Sequence, residues 1–156
     1  MHVAQHDRAY VAAEMTAFLS SWLTGLDCCV LNRPTPTCLS GPGWRKEQWV
    51  HFAASLRIPV CPVRRNTRRV IESTEGDSHP GHIVTVVGRR SFGAPDKTIA
   101  RYAQQLAEAA GVGLLAAHFN RIEGAYRLTS VDLWPDVTVP EIADAILEFF
   151  GGRPSC

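Results

Sequence analysis

The order of apolar patterns along the chain predicts an α/β (α+β) fold: helical stretches alternate with short apolar runs, and the second half holds antiparallel strands with helices packed on them. Three observations carry this expectation. Apolar residues recur at three- and four-residue steps in four separate segments, the period of a helix with one buried face. Apolar runs too short for helices lie between them. Turn signals separate the runs, the clearest being Glu123-Gly124 between residues 112–122 and 126–133.

Val11, Met15, Phe18, Leu19, Trp22, Leu23 and Leu26 share one face of a helix expected over residues 7–24, which Gly25 ends. The apolar run 28–31 reads as a buried strand, closed by the turn-rich residues 32–43 with Pro34, Pro36 and Pro42. A second helix follows, with Trp49, Phe52, Ala53 and Leu56 on one face. Residues 60–63 read as a short strand that Pro62 confines to an edge or an end.

The character changes at Arg64, Arg65, Arg68 and Arg69, which are followed by a polar stretch to Gly81. This pattern predicts an exposed loop or linker. Residues 82–88 resume as a strand, Gly88-Arg89-Arg90 suits a hairpin turn, and residues 91–94 supply the return strand. Asp96 is placed to cap a helix carrying Ile99, Tyr102, Ala103, Leu106 and Ala110 inward, stopped by Gly111. The last helix starts near Pro140 and buries Ile142, Ile146, Phe149 and Phe150 before Gly151-Gly152. Residues 153–156 read as a frayed tail.

Composition excludes several function classes. The 156 residues suit one domain, and 16 basic against 15 acidic side chains leave a net charge of +1, so no global field favours nucleic acid or an anionic membrane. The four tryptophans lie outside any basic stripe, which argues against a base-stacking platform. The five cysteines form no CxxC pair, and an odd number with Cys28 and Cys29 adjacent indicates reduced thiols rather than a disulfide framework or a zinc site. His79 and His82 flank Pro80-Gly81, a turn without further ligand residues. No apolar run approaches the roughly 20 residues that span a bilayer. A cytoplasmic location is the resulting expectation.

Asp7-Arg8-Ala9-Tyr10 with Glu14, Phe18 and Leu19, then Val30-Leu31-Asn32-Arg33-Pro34, then Lys46, Ala53, Ala54, Ile58 and Pro59 resemble the run that enters the ATP-grasp domain of RimK-like and graspetide-type peptide ligases. The second half resembles the C-terminal lobe of that domain: residues 82–88, Phe92-Gly93-Ala94, the helix to Gly111, and the strands 113–119 and 126–135 follow its order. The resemblance implies a remnant pre-ATP-grasp α/β segment at 1–64, a basic and polar linker at 65–81, and an ATP-grasp C-terminal-lobe-like segment at 82–152. One compact domain overall is expected.

Departures from the family pattern are as informative. The lobe that encloses the adenine, with its lysines and glycine-rich loop, would lie between the two blocks, where only residues 68–81 join Thr67 to His82. No lysine occurs between Lys46 and Lys97. Arg64, Arg65, Arg68 and Arg69 are the candidate nucleotide-binding residues, yet they lack a glycine-rich backbone to aim N–H groups at a phosphate. The family's further α/β unit, before the Tyr10 helix, has no counterpart either, leaving strand edges and apolar faces that call for cover by another chain.

The family holds magnesium with an aspartate on one strand and a glutamate and an asparagine two apart on the next, all hard oxygen ligands. The resemblance places His118, Ser130 and Asp132 at these positions, the latter two twelve and fourteen residues after the histidine. An imidazole and a hydroxyl are poor replacements for hard anionic ligands, so Asp132 is the candidate that keeps its chemistry.

The resemblance therefore implies a noncatalytic, pseudoenzyme-like protein without cofactor. Its expected partner is a full-length ATP-grasp ligase or a precursor peptide in a peptide-modification pathway, or a second copy in a homo-oligomer. The alternative is a divergent ATP-dependent carboxylate–amine ligase, complete or a half-site, with ATP and magnesium held through Asp132. Neither nucleic acid nor membrane is an expected partner.

Overall fold

The computed structural model describes residues 4–36, 38–61 and 81–151. Four helices and four strands follow in the order α1 (Arg8–Thr24), α2 (Lys46–Ser55), β1 (His82–Val87), β2 (Arg90–Phe92), α3 (Lys97–Ala110), β3 (Leu114–Ile122), β4 (Ala125–Asp132) and α4 (Pro140–Gly151). The strands form one antiparallel sheet in the order β2-β1-β3-β4, so the fold is α+β, as expected from the sequence. Among the described residues no helix is long and apolar enough to cross a membrane.

Local chemistry explains most boundaries. The β3–β4 hairpin turns on Glu123 and Gly124, both with positive φ, which suits the right-handed twist of the strands they join. The β1–β2 turn is Gly88-Arg89, with Val87 opposite Arg90, so the return strand begins one residue earlier than the sequence suggests. At the start of α3 the Asp96 carboxylate accepts hydrogen bonds from the Thr98 and Ile99 N–H groups at 2.7 and 3.1 Å, and left-handed Gly111 closes the other end.

Alternation along the strands sorts the two faces. Val84 and Val86 of β1, Leu115, Ala117 and Phe119 of β3 and Leu128 of β4 point to one side. There they meet Trp49 and Ala53 of α2 and Ile99, Ala103, Leu106 and Ala107 of α3 in the main core. On the opposite side α4 covers only one end of the sheet, where Ile142 and Ala145 pack on Val87, with Phe92, Leu114 and Phe149 around them. Phe150, expected inside, is half exposed.

Residues 28–31 and α1 differ from the sequence expectation. Residues 28–31 form no strand. Leu31 and Asn32 lie beside residues 112–114, where β3 is only beginning, and a ladder has no length to extend there. The second difference is α1. It forms over nearly the expected span, but none of its residues is buried, and Phe18 and Trp22 are 64% and 55% exposed. Its apolar side chains are so widely distributed that no single face docks, and only Arg8 and Glu14 carry charge. Such a helix normally lies inside a larger body.

The short strand expected at 60–63 is reduced to a parallel bridge between Val60 and Leu128, with Leu128 N–H donating to Pro59 and Cys61 N–H donating back to Leu128, both at 2.8 Å. These bonds cover part of the outer edge of β4. Pro62 and Val63 lie outside the described residues, as do nearly all of the expected linker and the arginine cluster.

Candidate functional site

The open part of the second sheet face carries the three positions singled out by the family resemblance. His118 lies opposite Ser130, and Ala116 opposite Asp132, so the imidazole, hydroxyl and carboxylate project from adjacent strands on the same side. A β-bulge makes this possible. Phe119 pairs with Leu128 while His118 pairs with Ser130, leaving Thr129 as the extra residue on β4. Without it, Ser130 and Asp132 would share the buried face of Leu128. The bulge is held by the Thr129 hydroxyl, which donates to the His118 carbonyl at 3.0 Å.

This face floors a cleft of about 360 Å³. Ile83, Thr85, Ala116 and His118 form its base, Phe92 and Gly93 one rim, and Ile142 one end. Its remaining wall is the segment between β4 and α4, with Asp132, Trp134, Asp136 and Val139. Two carboxylates order that wall. Asp132 Oδ1 accepts from the Trp134 N–H at 2.8 Å, and Asp136 Oδ1 accepts from the Thr138 N–H at 2.9 Å and its hydroxyl at 2.6 Å. The Thr138 hydroxyl first, and its N–H second, hold the Asp136 carboxyl below the ordinary carboxylate range.

The donor set does not fit magnesium. One of its three positions is a carboxylate, and one oxygen of that group is already engaged by Trp134. Among the described residues no group of three or more His, Cys, Asp or Glu side chains could hold a metal ion. The sheet thus brings His118, Ser130 and Asp132 together as neighbours, but not as a magnesium ligand set. The other candidate cluster, Arg64, Arg65, Arg68 and Arg69, lies outside the described residues.

Other titratable and thiol groups take structural places. The His82 ring meets Tyr126 edge-on at 5.4 Å between centroids. Cys28 is exposed, while Cys29, Cys38 and Cys61 are half-buried and free. Sequence reasoning missed the Phe92 and Asp136 contributions to the cleft, and Trp134, 76% exposed, stands on its wall. The signal for Asp136 was available locally, since Asp-x-Thr is a common self-capping turn.

Fold and site define an α+β lobe whose antiparallel sheet is covered by helices on one face and opens into a cleft on the other. Among solved structures the chain is similar to the macrocyclase MdnB from Microcystis aeruginosa MRC, with a TM-score of 0.52 and 18% identity over 67% of this chain. At that identity the likeness is one of fold. The match spans 54% of the macrocyclase chain, about half of its length. No family description matches the sequence, and no curated relative does.

Proposed function

We propose that this chain is a noncatalytic ATP-grasp-like protein that binds a full-length ATP-grasp ligase, or the peptide such a ligase acts on, within a peptide-modification pathway. The observation that carries the reading is the replacement at the ligand positions. His118 and Ser130 stand beside Asp132 on one sheet face, and at positions the resemblance assigns to magnesium they supply an imidazole and a hydroxyl in place of hard anionic oxygens. Fold likeness to a macrocyclase supports a place near ring-closing chemistry, and the exposed apolar helix α1 supports a protein partner. The proposal includes a remnant entry segment at 1–64, a linker at 65–81 and a C-terminal-lobe-like segment at 82–152 within one domain.

A second reading is favoured by one observation, that Asp132 and His118 both line the cleft. There the chain is a divergent carboxylate–amine ligase, complete or as a half-site finished by a second chain, with ATP and magnesium as cofactors. Calorimetry with ATP and magnesium separates the two. The partner-binding reading requires no binding in the low micromolar range and no nucleotide hydrolysis by the isolated chain. It further requires that the chain change the activity or stability of a copurifying ligase. Hydrolysis that depends on Asp132, alone or with that ligase, establishes the second reading instead.

A further inference from the structure

We infer that the cleft between the open sheet face and the β4–α4 segment receives a cationic peptide segment, with an apolar side chain seated on the sheet and a neighbouring arginine or lysine held by Asp132 and Asp136. The inference rests on the partner-binding reading and gives that partner a chemistry.

Charge and shape in the cleft select this occupant. Ile83, Phe92 and Ile142 make its interior apolar, and about 360 Å³ is at the small end of ligand-binding cavities. The charged groups of its lining are the Asp132 and Asp136 carboxylates, beside the His118 imidazole; among the described residues that line it there is no lysine or arginine. A polyphosphate would meet repulsion from both carboxylates and no basic counterpart there. A cation meets two acceptors instead. Each aspartate spends Oδ1 on ordering the wall, and its second oxygen has no partner among the described residues.

Trp134 adds the third element. Its indole is 76% exposed on the cleft wall, while its backbone N–H is tied to Asp132. An exposed indole beside a carboxylate suits arginine, whose guanidinium stacks on the ring while donating to the acid. The apolar surface also continues beyond the cavity at Val137, 49% exposed. A chain segment covers that span better than a single amino acid does.

The test is fluorescence anisotropy of a fluorescein-labelled peptide with two arginines flanking a leucine-phenylalanine pair, titrated with the full chain. A control peptide carries glutamates in place of the arginines. The variant Asp132→Asn with Asp136→Asn keeps both amide oxygens as acceptors for the wall, and thermal melting verifies its fold; Trp134→Ala is the second variant. Expected are saturable binding of the arginine peptide and a loss of about tenfold in the double variant, the size of two exposed charge pairs together. Trp134→Ala weakens it as well, and the glutamate peptide does not bind. Equal binding of the two peptides, or an unchanged affinity in the folded double variant, overturns the inference. The same titration with ATP and magnesium keeps the two failures apart. If neither the arginine peptide nor nucleotide binds, this inference alone falls, whereas low-micromolar nucleotide binding overturns the noncatalytic reading beneath it.

Discussion

The side-chain amide of Asn32 exchanges two hydrogen bonds with the backbone of Leu114, donating from Nδ2 to the Leu114 carbonyl at 2.8 Å and accepting at Oδ1 from its N–H at 2.9 Å. One side chain thus does what a strand residue would do, satisfying both backbone groups at the start of β3. Beside it the Leu31 carbonyl accepts from the Gly113 N–H at 2.6 Å. Together these bonds hold the turn-rich segment after α1 to the sheet. Asn32→Ala leaves both Leu114 groups without their partner, and we expect a loss of about 2–3 kcal/mol in urea unfolding. Asn32→Asp should lose nearly as much, because a carboxylate oxygen replaces the donor that faces the Leu114 carbonyl.

Gly93 and Gly113 are sites where a side chain has no room. A Cβ on Gly93 would lie 2.5 Å from the Ile83 carbonyl oxygen, and φ there is +75°; one on Gly113 would lie 2.7 Å from the Leu31 carbonyl oxygen. Gly124 has φ +82° but open space around it. Alanine at Gly124 is expected to cost about 1 kcal/mol from backbone conformation alone. Alanine at Gly93 or Gly113 must also displace backbone and should cost about 2 kcal/mol or more. Comparable melting temperatures for all three variants would refute the close approaches.

Asp132→Asn tests the candidate ligand. The amide oxygen can still accept from Trp134 N–H, so the loss should stay within about 1 kcal/mol, the difference between a charge-assisted and a neutral hydrogen bond. Pathway activity in the host should persist, reduced no further than a weaker hold on the cationic segment accounts for. The converse variant, His118→Asp with Ser130→Glu and Asp132→Asn, rebuilds the family's ligand types on the open face but is expected to show no ATP hydrolysis. Abolished pathway activity in a folded, partner-bound Asp132→Asn protein would instead make Asp132 a working ligand or base.

Asp136 gives a pH dependence with a definite sign. Its carboxyl is held below the ordinary range in the folded chain by Thr138, so the ionised form favours folding. This contribution is present above the unfolded value, about 3.9 for aspartate, and is lost as pH falls through the lower folded value. Asp136→Asn does not titrate there. Wild type should therefore be the more stable of the two near neutrality, and the difference in urea midpoint should shrink below about pH 4. A difference that grows on acidification would contradict the assignment.

The exposed helix α1 predicts association without folding cost. Phe18→Glu with Trp22→Glu should leave the melting temperature of the isolated chain nearly unchanged, because neither side chain is buried. It should abolish dimerisation, or recovery of a copurifying partner, read by light scattering. A nonassociating wild-type monomer with no partner would remove the role assigned to α1.

Elements governed by local chemistry were legible in the sequence. Asp96 and Gly111 bound α3, Glu123-Gly124 turns the β3–β4 hairpin, and Trp49 with Ala53 marks the inward face of α2. Each depends on residues only a few positions apart, so periodicity and turn preference carry it. Residues 28–31 failed as a strand because pairing depends on what lies alongside, and β3 is only starting there. For α1, the periodic pattern predicted the helix correctly but could not say whether any other element would cover it.

The candidate site divides in the same way. Spacing and family resemblance singled out His118, Ser130 and Asp132, and strand alternation alone puts Ser130 and Asp132 on a common face. Which face that is depended on Thr129, whose bulge reverses the parity of β4 between Leu128 and Ser130 and leaves no mark in hydropathy. The cleft itself belongs to the tertiary structure, because Ile83, Phe92, Trp134 and Ile142 come from separate elements. The sequence alone determined the elements, their turns and the chemistry of the three aligned side chains. Only packing decided the face they share, the cleft that this face floors and the exposure of α1, since each depends on how residues distant in the chain come together.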